Sequence, residues 1–218
     1  MRPTRMRTAV IPALAAAVLA VCGAGQARAQ ADPQTRTRPV KAAAVPPADH
    51  NCLSPDGTNL NVFLGISERI VGPPACREAF TGERWVRSFP SWGTAPDGNG
   101  ARYPRDYTPT VFDPMQDFLA KFQGVRIVTD IGTVREQSRT FGSEVIRRIA
   151  TSGENPFAFF ASDPFPSLTA GEHTSTVFMR LSARHCDGLG RRPADNCLPG
   201  GEFVYSGPTT IRFFLKST

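Results

Sequence analysis

Apolar and polar residues alternate with a period of two through much of the C-terminal half of the chain. In the stretch from His173 to His185, Val177, Met179, Leu181 and Ala183 share one face. Thr174, Thr176, Arg180, Ser182 and Arg184 share the other, with Phe178 the one aromatic exception among them. This alternation predicts a half-buried antiparallel strand. From Thr210 to Lys216 the pattern recurs, Ile211, Phe213 and Leu215 alternating with Arg212, Phe214 and Lys216. Val125–Ile131, Glu202–Gly207 and the apolar run Pro156–Ser162 read as further strands, while Ser143–Ile149 fits either a strand or a helical turn.

The period changes once. Met115, Phe118, Leu119 and Phe122 fall at i, i+3, i+4 and i+7, which makes one apolar helical face. Asp113 is a good N-cap, Pro114 suits the first helical position, Gln116 completes a capping box and Gly124 reads as the residue that ends the helix. Residues 50–112 are different again. Short apolar pieces, NLNVFLGI and ERWVRSF, stand between turn clusters such as SPDGTN, GPP and APDGNGARYPRDYTP. Short strands and ordered loops are expected there. Trp85, Phe89 and Trp92 belong to this segment and read as its core before they read as a binding groove. The whole pattern predicts a mainly β protein. Its C-terminal half, residues 113–218, is expected to be a short helix followed by an immunoglobulin-like antiparallel β-sandwich, preceded by the loop-rich segment 50–112. The Cys…Trp…Cys spacing of antibody domains is absent, so the likeness is architectural.

The first residues change the picture of where the protein goes. Arg2, Arg5 and Arg7 precede an apolar run from Ala9 to Val21, and Ala27-Arg28-Ala29 is a small-x-small cleavage pattern. Residues 1–29 therefore read as a secretory signal peptide, and the run is shorter than the ~20 residues that span a bilayer. Cys22 follows Val21, a poor match to a lipidation motif, so it is expected to leave with the leader. Residues 30–49 are rich in Pro, Ala, Thr and Arg without periodicity and read as a flexible tether. No second apolar stretch of spanning length follows, so the mature protein is expected to be secreted or periplasmic without a transmembrane span. The arginine- and alanine-rich leader style points to a bacterium.

Charge then excludes a function class. Four of the 25 basic residues and none of the 19 acidic ones precede Gln30, so a chain starting there carries a net +2. Arg147-Arg148 and Arg191-Arg192 are pairs rather than a basic face, and nucleic-acid binding is not expected.

Four cysteines remain after the leader: Cys52, Cys76, Cys186 and Cys197. An even count in an exported chain reads as a disulfide framework. Three pairings are possible. The local one, Cys52 with Cys76 and Cys186 with Cys197, is the simplest. The stretch HCDGLGRRPADNC, residues 185–197, gathers a histidine and two thiols, but neither cysteine has the close cysteine neighbour of a zinc site. It reads as a stapled loop tip between two late strands.

Candidate chemistry is sparse. His50, His173 and His185 are spread along the chain, and a straight strand would separate the last two by about 40 Å. Each reads as a polar strand-end residue. Neither a G-x-S-x-G elbow nor a phosphate-binding loop is present. Asp97-Gly98-Asn99-Gly100 and the stretch from Asp187 to Asn196 offer oxygen ligands but break the calcium-loop pattern. Among Asp106, Asp113 and Asp117 no pair stands out. No catalytic, cofactor-binding or metal-ligating residue is assigned and no cofactor is expected. The reading is an exported, non-catalytic binding or interaction module whose partner is a protein or an envelope component. One alternative is a secreted hydrolase assembled from distant loops, pairing His173 or His185 with Asp163, Glu172 or Asp187. The other is a structural subunit of a surface assembly.

Overall fold

A computed structural model describes residues 51–190 and 196–216 of the chain. The expected leader 1–29, with Cys22, and the expected tether 30–49 lie outside the described residues. Among the described residues two short helices, α1 (Leu60–Leu64) and α2 (Pro114–Lys121), accompany eleven strands. These are β1 (Arg69–Val71), β2 (Glu78–Phe80), β3 (Trp85–Gly93), β4 (Phe122–Thr129), β5 (Gln137–Phe141) and β6 (Ile146–Ser152). They continue with β7 (Asn155–Ala161), β8 (Gly171–Leu181), β9 (His185–Cys186), β10 (Cys197–Leu198) and β11 (Gly201–Phe214).

The chain is mainly β: β9 and β10 pair as a two-stranded ribbon, and the other nine described strands form two larger sheets, one of four in the order β1-β3-β7-β6 and one of five in the order β2-β11-β8-β4-β5. The described strands of residues 113–218 pair antiparallel with one another, as expected, but the strands of the N-terminal segment join them and change the architecture from the expected immunoglobulin-like sandwich. β1 runs parallel to β3 and β2 runs parallel to β11, so both sheets are mixed, and they curl into a half-barrel. The reason is the path of the N-terminal segment. After β1 the chain crosses to the other sheet to form β2, then returns for β3. A crossover of that length permits the parallel pairing that a tight hairpin forbids.

Local rules explain the elements. In β8, Val177, Met179 and Leu181 are buried on the core face, as the alternation predicts. Phe178, the exception, lies on the opposite face with the Arg126 guanidinium 4.2 Å from its ring centre. That cation shields the ring from water. Asp113 caps α2 by accepting a hydrogen bond from the Gln116 N–H at 2.8 Å. The helix ends sooner than expected: Phe122 is already extended and opens β4. Gly124 is therefore a strand residue at φ 127°, where a Cβ would collide with the Phe141 carbonyl of the neighbouring strand. NLNVFLGI, expected to be extended, forms α1 instead. Asn59 accepts from the Val62 N–H at 3.2 Å and Gly65 closes the helix in the left-handed conformation. Ser143–Val145 make a single 3-10 turn before β6.

One aromatic core joins the sheets and α2. Trp85 stacks on Phe165 with ring centroids 4.8 Å apart and meets Phe213 of β11 edge-on. Phe160 lies between Phe89, Phe118 and Tyr205. Trp85 and Phe89 are thus core residues, while Trp92 is half-buried. Arg87 of β3 is fully buried and crosses from sheet to sheet. Its Nε donates to Ser175 Oγ at 3.0 Å, its Nη2 to Thr209 Oγ1 at 3.1 Å and its Nη1 to the Ser88 carbonyl. Burial among these neutral oxygens lowers the guanidinium pKa to about 10. Gly72 packs so closely on this group that a Cβ would overlap it.

Cys52 is bonded to Cys76 and Cys186 to Cys197. The first bond ties the loop before α1 to the turn after β1. Asn61, buried beneath, accepts from the Cys52 N–H and donates to the Ile66 and Glu68 carbonyls. The two sulfurs are 24 positions apart in sequence, and closing a loop of that size is worth about 3 kcal/mol. Replacing Cys52 and Cys76 together by serine is expected to lower the unfolding free energy by that amount in urea titrations. A loss below about 1 kcal/mol would contradict this loop-closure account.

Candidate functional site

A dense polar cluster is built around Asp117 on α2, whose carboxylate is wholly buried. Its Oδ1 accepts the backbone N–H groups of Thr110 and Val111 at 2.6 and 3.0 Å. Its Oδ2 accepts the Tyr107 hydroxyl at 2.6 Å, Lys121 Nζ at 2.7 Å and His185 Nδ1 at 2.9 Å. Burial alone would raise the Asp117 pKa, but these hydrogen bonds outweigh it and hold the carboxyl well below the usual range. His185 moves the same way for a different reason. Its burial disfavours the imidazolium more than Asp117 favours it, so its pKa is lowered. Trp92 and Phe118 stand edge-on to the His185 ring at 5.9 and 5.4 Å. His185 Nε2 has no hydrogen-bond partner, and the residue has no solvent-exposed surface.

A second pair lies elsewhere. His173 Nδ1 is 2.6 Å from Asp130 Oδ2, and His173 Nε2 is 2.9 Å from the Thr169 carbonyl. Both ring nitrogens are thus engaged, and both residues are buried. Asp130 sits at φ 51°, the left-handed conformation that aspartate tolerates in turns, and Thr133 N–H donates to its carbonyl at 3.1 Å. The turn between β4 and β5 accounts for this conformation.

The two histidines are therefore buried and paired rather than polar strand ends, and they occupy separate clusters. Neither takes the carboxylate expected for a hydrolase. Asp163 binds Arg147 at 2.6 Å, Glu172 binds Arg212, and Asp187 accepts the Leu189 N–H at 2.9 Å. Burial raises the Asp187 pKa. Asp97 accepts the Gly100 N–H at 2.8 Å, closing a turn. Among the described residues no three His, Cys, Asp or Glu side chains converge as metal ligands. The HCDGLGRRPADNC stretch holds Cys186 opposite Cys197 on paired strands β9 and β10, and residues 191–195 lie outside the described residues.

Open to solvent, by contrast, is a groove of about 450 Å³. That volume falls within the range of about 300–1,000 Å³ for small-molecule sites. The stapled segment forms its wall, through Pro55, α1 and the Pro73-Pro74 turn. Sheet residues on β3, β6 and β7, among them Phe89, Phe159 and Phe160, line the other side. Phe63 of α1 meets Phe159 edge-on at 4.9 Å. Phe89 thus belongs both to the core and to the groove. No protein-family model matches this chain, and no curated protein or solved structure matches it.

In the sequence Asp117 is one of three neighbouring carboxylates from which no pair stands out, and Lys121, Tyr107 and Asp130 carry no signal of their own. The i, i+4 spacing of Asp117 and Lys121 is a local signal. Their burial is not, because it depends on a loop folding back over the helix.

The Asp117 cluster makes the fold acid-sensitive. Below pH 6.5, the ordinary histidine value, the unfolded chain binds a proton at position 185 that the folded chain disfavours. Below 3.8 the same holds for Asp117. The stability linked to both groups is therefore present above pH 6.5 and declines as pH falls. Urea unfolding between pH 7.5 and pH 5 should show a smaller decline for His185→Gln than for the native chain. Equal declines would contradict the assignment. Asp117→Asn should lower stability by about 3–5 kcal/mol, because it strands the buried Lys121 ammonium.

Proposed function

We propose that this chain is an exported, non-catalytic binding protein that takes an apolar ligand in the groove between its stapled wall and the β3-β7-β6 sheet face. The groove carries the reading. It is open, mostly apolar and lined by side chains set on a disulfide-tied segment and a sheet. Such a site can bind without reorganising. Export is supported by the leader pattern in residues 1–29, and the two disulfides suit an oxidising compartment. Among the described residues no helix is long and apolar enough to cross a membrane. The His–Asp pairs support a structural role instead, since both are buried.

A second reading has one observation in its favour: Asp117 and His185 form a carboxylate–imidazole pair whose Nε2 is without a partner. Screens with ester, peptide and glycoside substrates, comparing the native chain with His185→Gln, decide for or against it.

Binding is measured with N-phenyl-1-naphthylamine, an uncharged fluorescent probe, and by its displacement with octanol. Phe63→Ser should weaken probe affinity about tenfold or more, as expected when one anchoring ring is lost. Equal affinity in the variant, or no fluorescence change with the native chain, would contradict the proposed function.

A further inference from the structure

We infer that the groove selects an apolar ligand carrying a single positive charge, in chemical class an alkylammonium or arylalkylammonium ion. This rests on the binding reading above. Asp56 is the one charged side chain among the described residues that line the groove. Its carboxylate is fixed at the rim, where it accepts the Ser54 hydroxyl and, at 3.2 Å, the Thr58 N–H. The Ser54 N–H donates to the Thr58 carbonyl and the Gly57 N–H to the Ser54 carbonyl, both at 2.9 Å, so the turn is tied at several points. The bonds to its carboxylate keep Asp56 ionised to lower pH than a free aspartate.

The half-buried rings of Phe63 and Phe159 also line the groove, over Phe89 and Phe160, which are buried and stacked on each other. Aromatic faces attract cations as well as alkyl chains. Phe63 already demonstrates this, because the Arg148 guanidinium carbon lies 4.6 Å from its ring centre. Arg148 also donates to the Phe63 carbonyl at 3.1 Å and is not part of the lining. A ligand with an apolar body and a cationic head thus matches both parts of the groove. An anionic head would sit against Asp56, and Arg148, the cation beside Phe63, is already engaged with that residue's ring and carbonyl; a neutral head would gain nothing from the carboxylate.

Three ligands with one tail test this: octylammonium, octanol and octanoate, titrated calorimetrically into the full native protein. Octylammonium should bind about threefold tighter than octanol at low ionic strength, with octanoate weakest, the size expected of an exposed ion pair. Raising the salt to 1 M should bring the octylammonium-to-octanol ratio close to one, because screening then acts within about 3 Å. Asp56→Asn should do the same at low salt. If octanol binds but charge makes no difference, or octanoate binds best, the charge selection is wrong while the groove reading stands. If none of the three binds, both are wrong.

Discussion

One buried carboxylate organises an entire end of this molecule. Asp117 has no solvent-exposed surface, yet it is met by two backbone N–H groups, a phenol, an ammonium and an imidazole. A charge taken out of water persists only when its neighbours replace the lost hydration. That requirement draws α2, the loop carrying Tyr107 and Thr110, and strand β9 to one point. The Cys186–Cys197 bond then holds β9 against β10 and keeps His185 directed inward. The groups that look reactive in sequence are thereby engaged, His185 with Asp117 and Cys186 with Cys197.

The opposite strategy shapes the groove. Here the polar requirement is met inside the wall, by Asn61 bonding three backbone groups, and the Cys52–Cys76 bond limits the wall's freedom. Phe63 and Phe159 are thereby left half-exposed across a gap, over the buried Phe89 and Phe160. Exposed apolar surface of this kind is what soluble proteins usually avoid unless it has a use. The contrast between a sealed polar cluster and an open apolar groove is the main reason for preferring binding over catalysis.

Much of the fold was legible along the chain. The period-two stretches became β4, β8 and β11, and the N-terminal cap of α2 sits at Asp113. These signals depend on near neighbours. The parallel pairings of β1 with β3 and β2 with β11 do not, since they arise from the path of a segment without strong periodicity. The five-residue α1 was hidden in an apolar run that reads as a strand, although Asn59 and Gly65 were its caps in plain view. The candidate sites were harder still. His185 meets Asp117 across 68 residues and His173 meets Asp130 across 43. No local pattern encodes such a pairing. The groove depends on a wall and a sheet face distant in sequence, and only Phe89 among the early aromatics pointed toward it.

The central claim is that an apolar ligand occupies the space between Phe63 and the β3-β7-β6 sheet face. A crystal structure of the protein grown with 8-bromooctanol tests it most directly, because the bromine marks its own position by anomalous scattering. The account predicts an anomalous peak inside the groove, beside Phe63 and Phe159. A peak only elsewhere on the protein, with the groove filled by water alone, would contradict it.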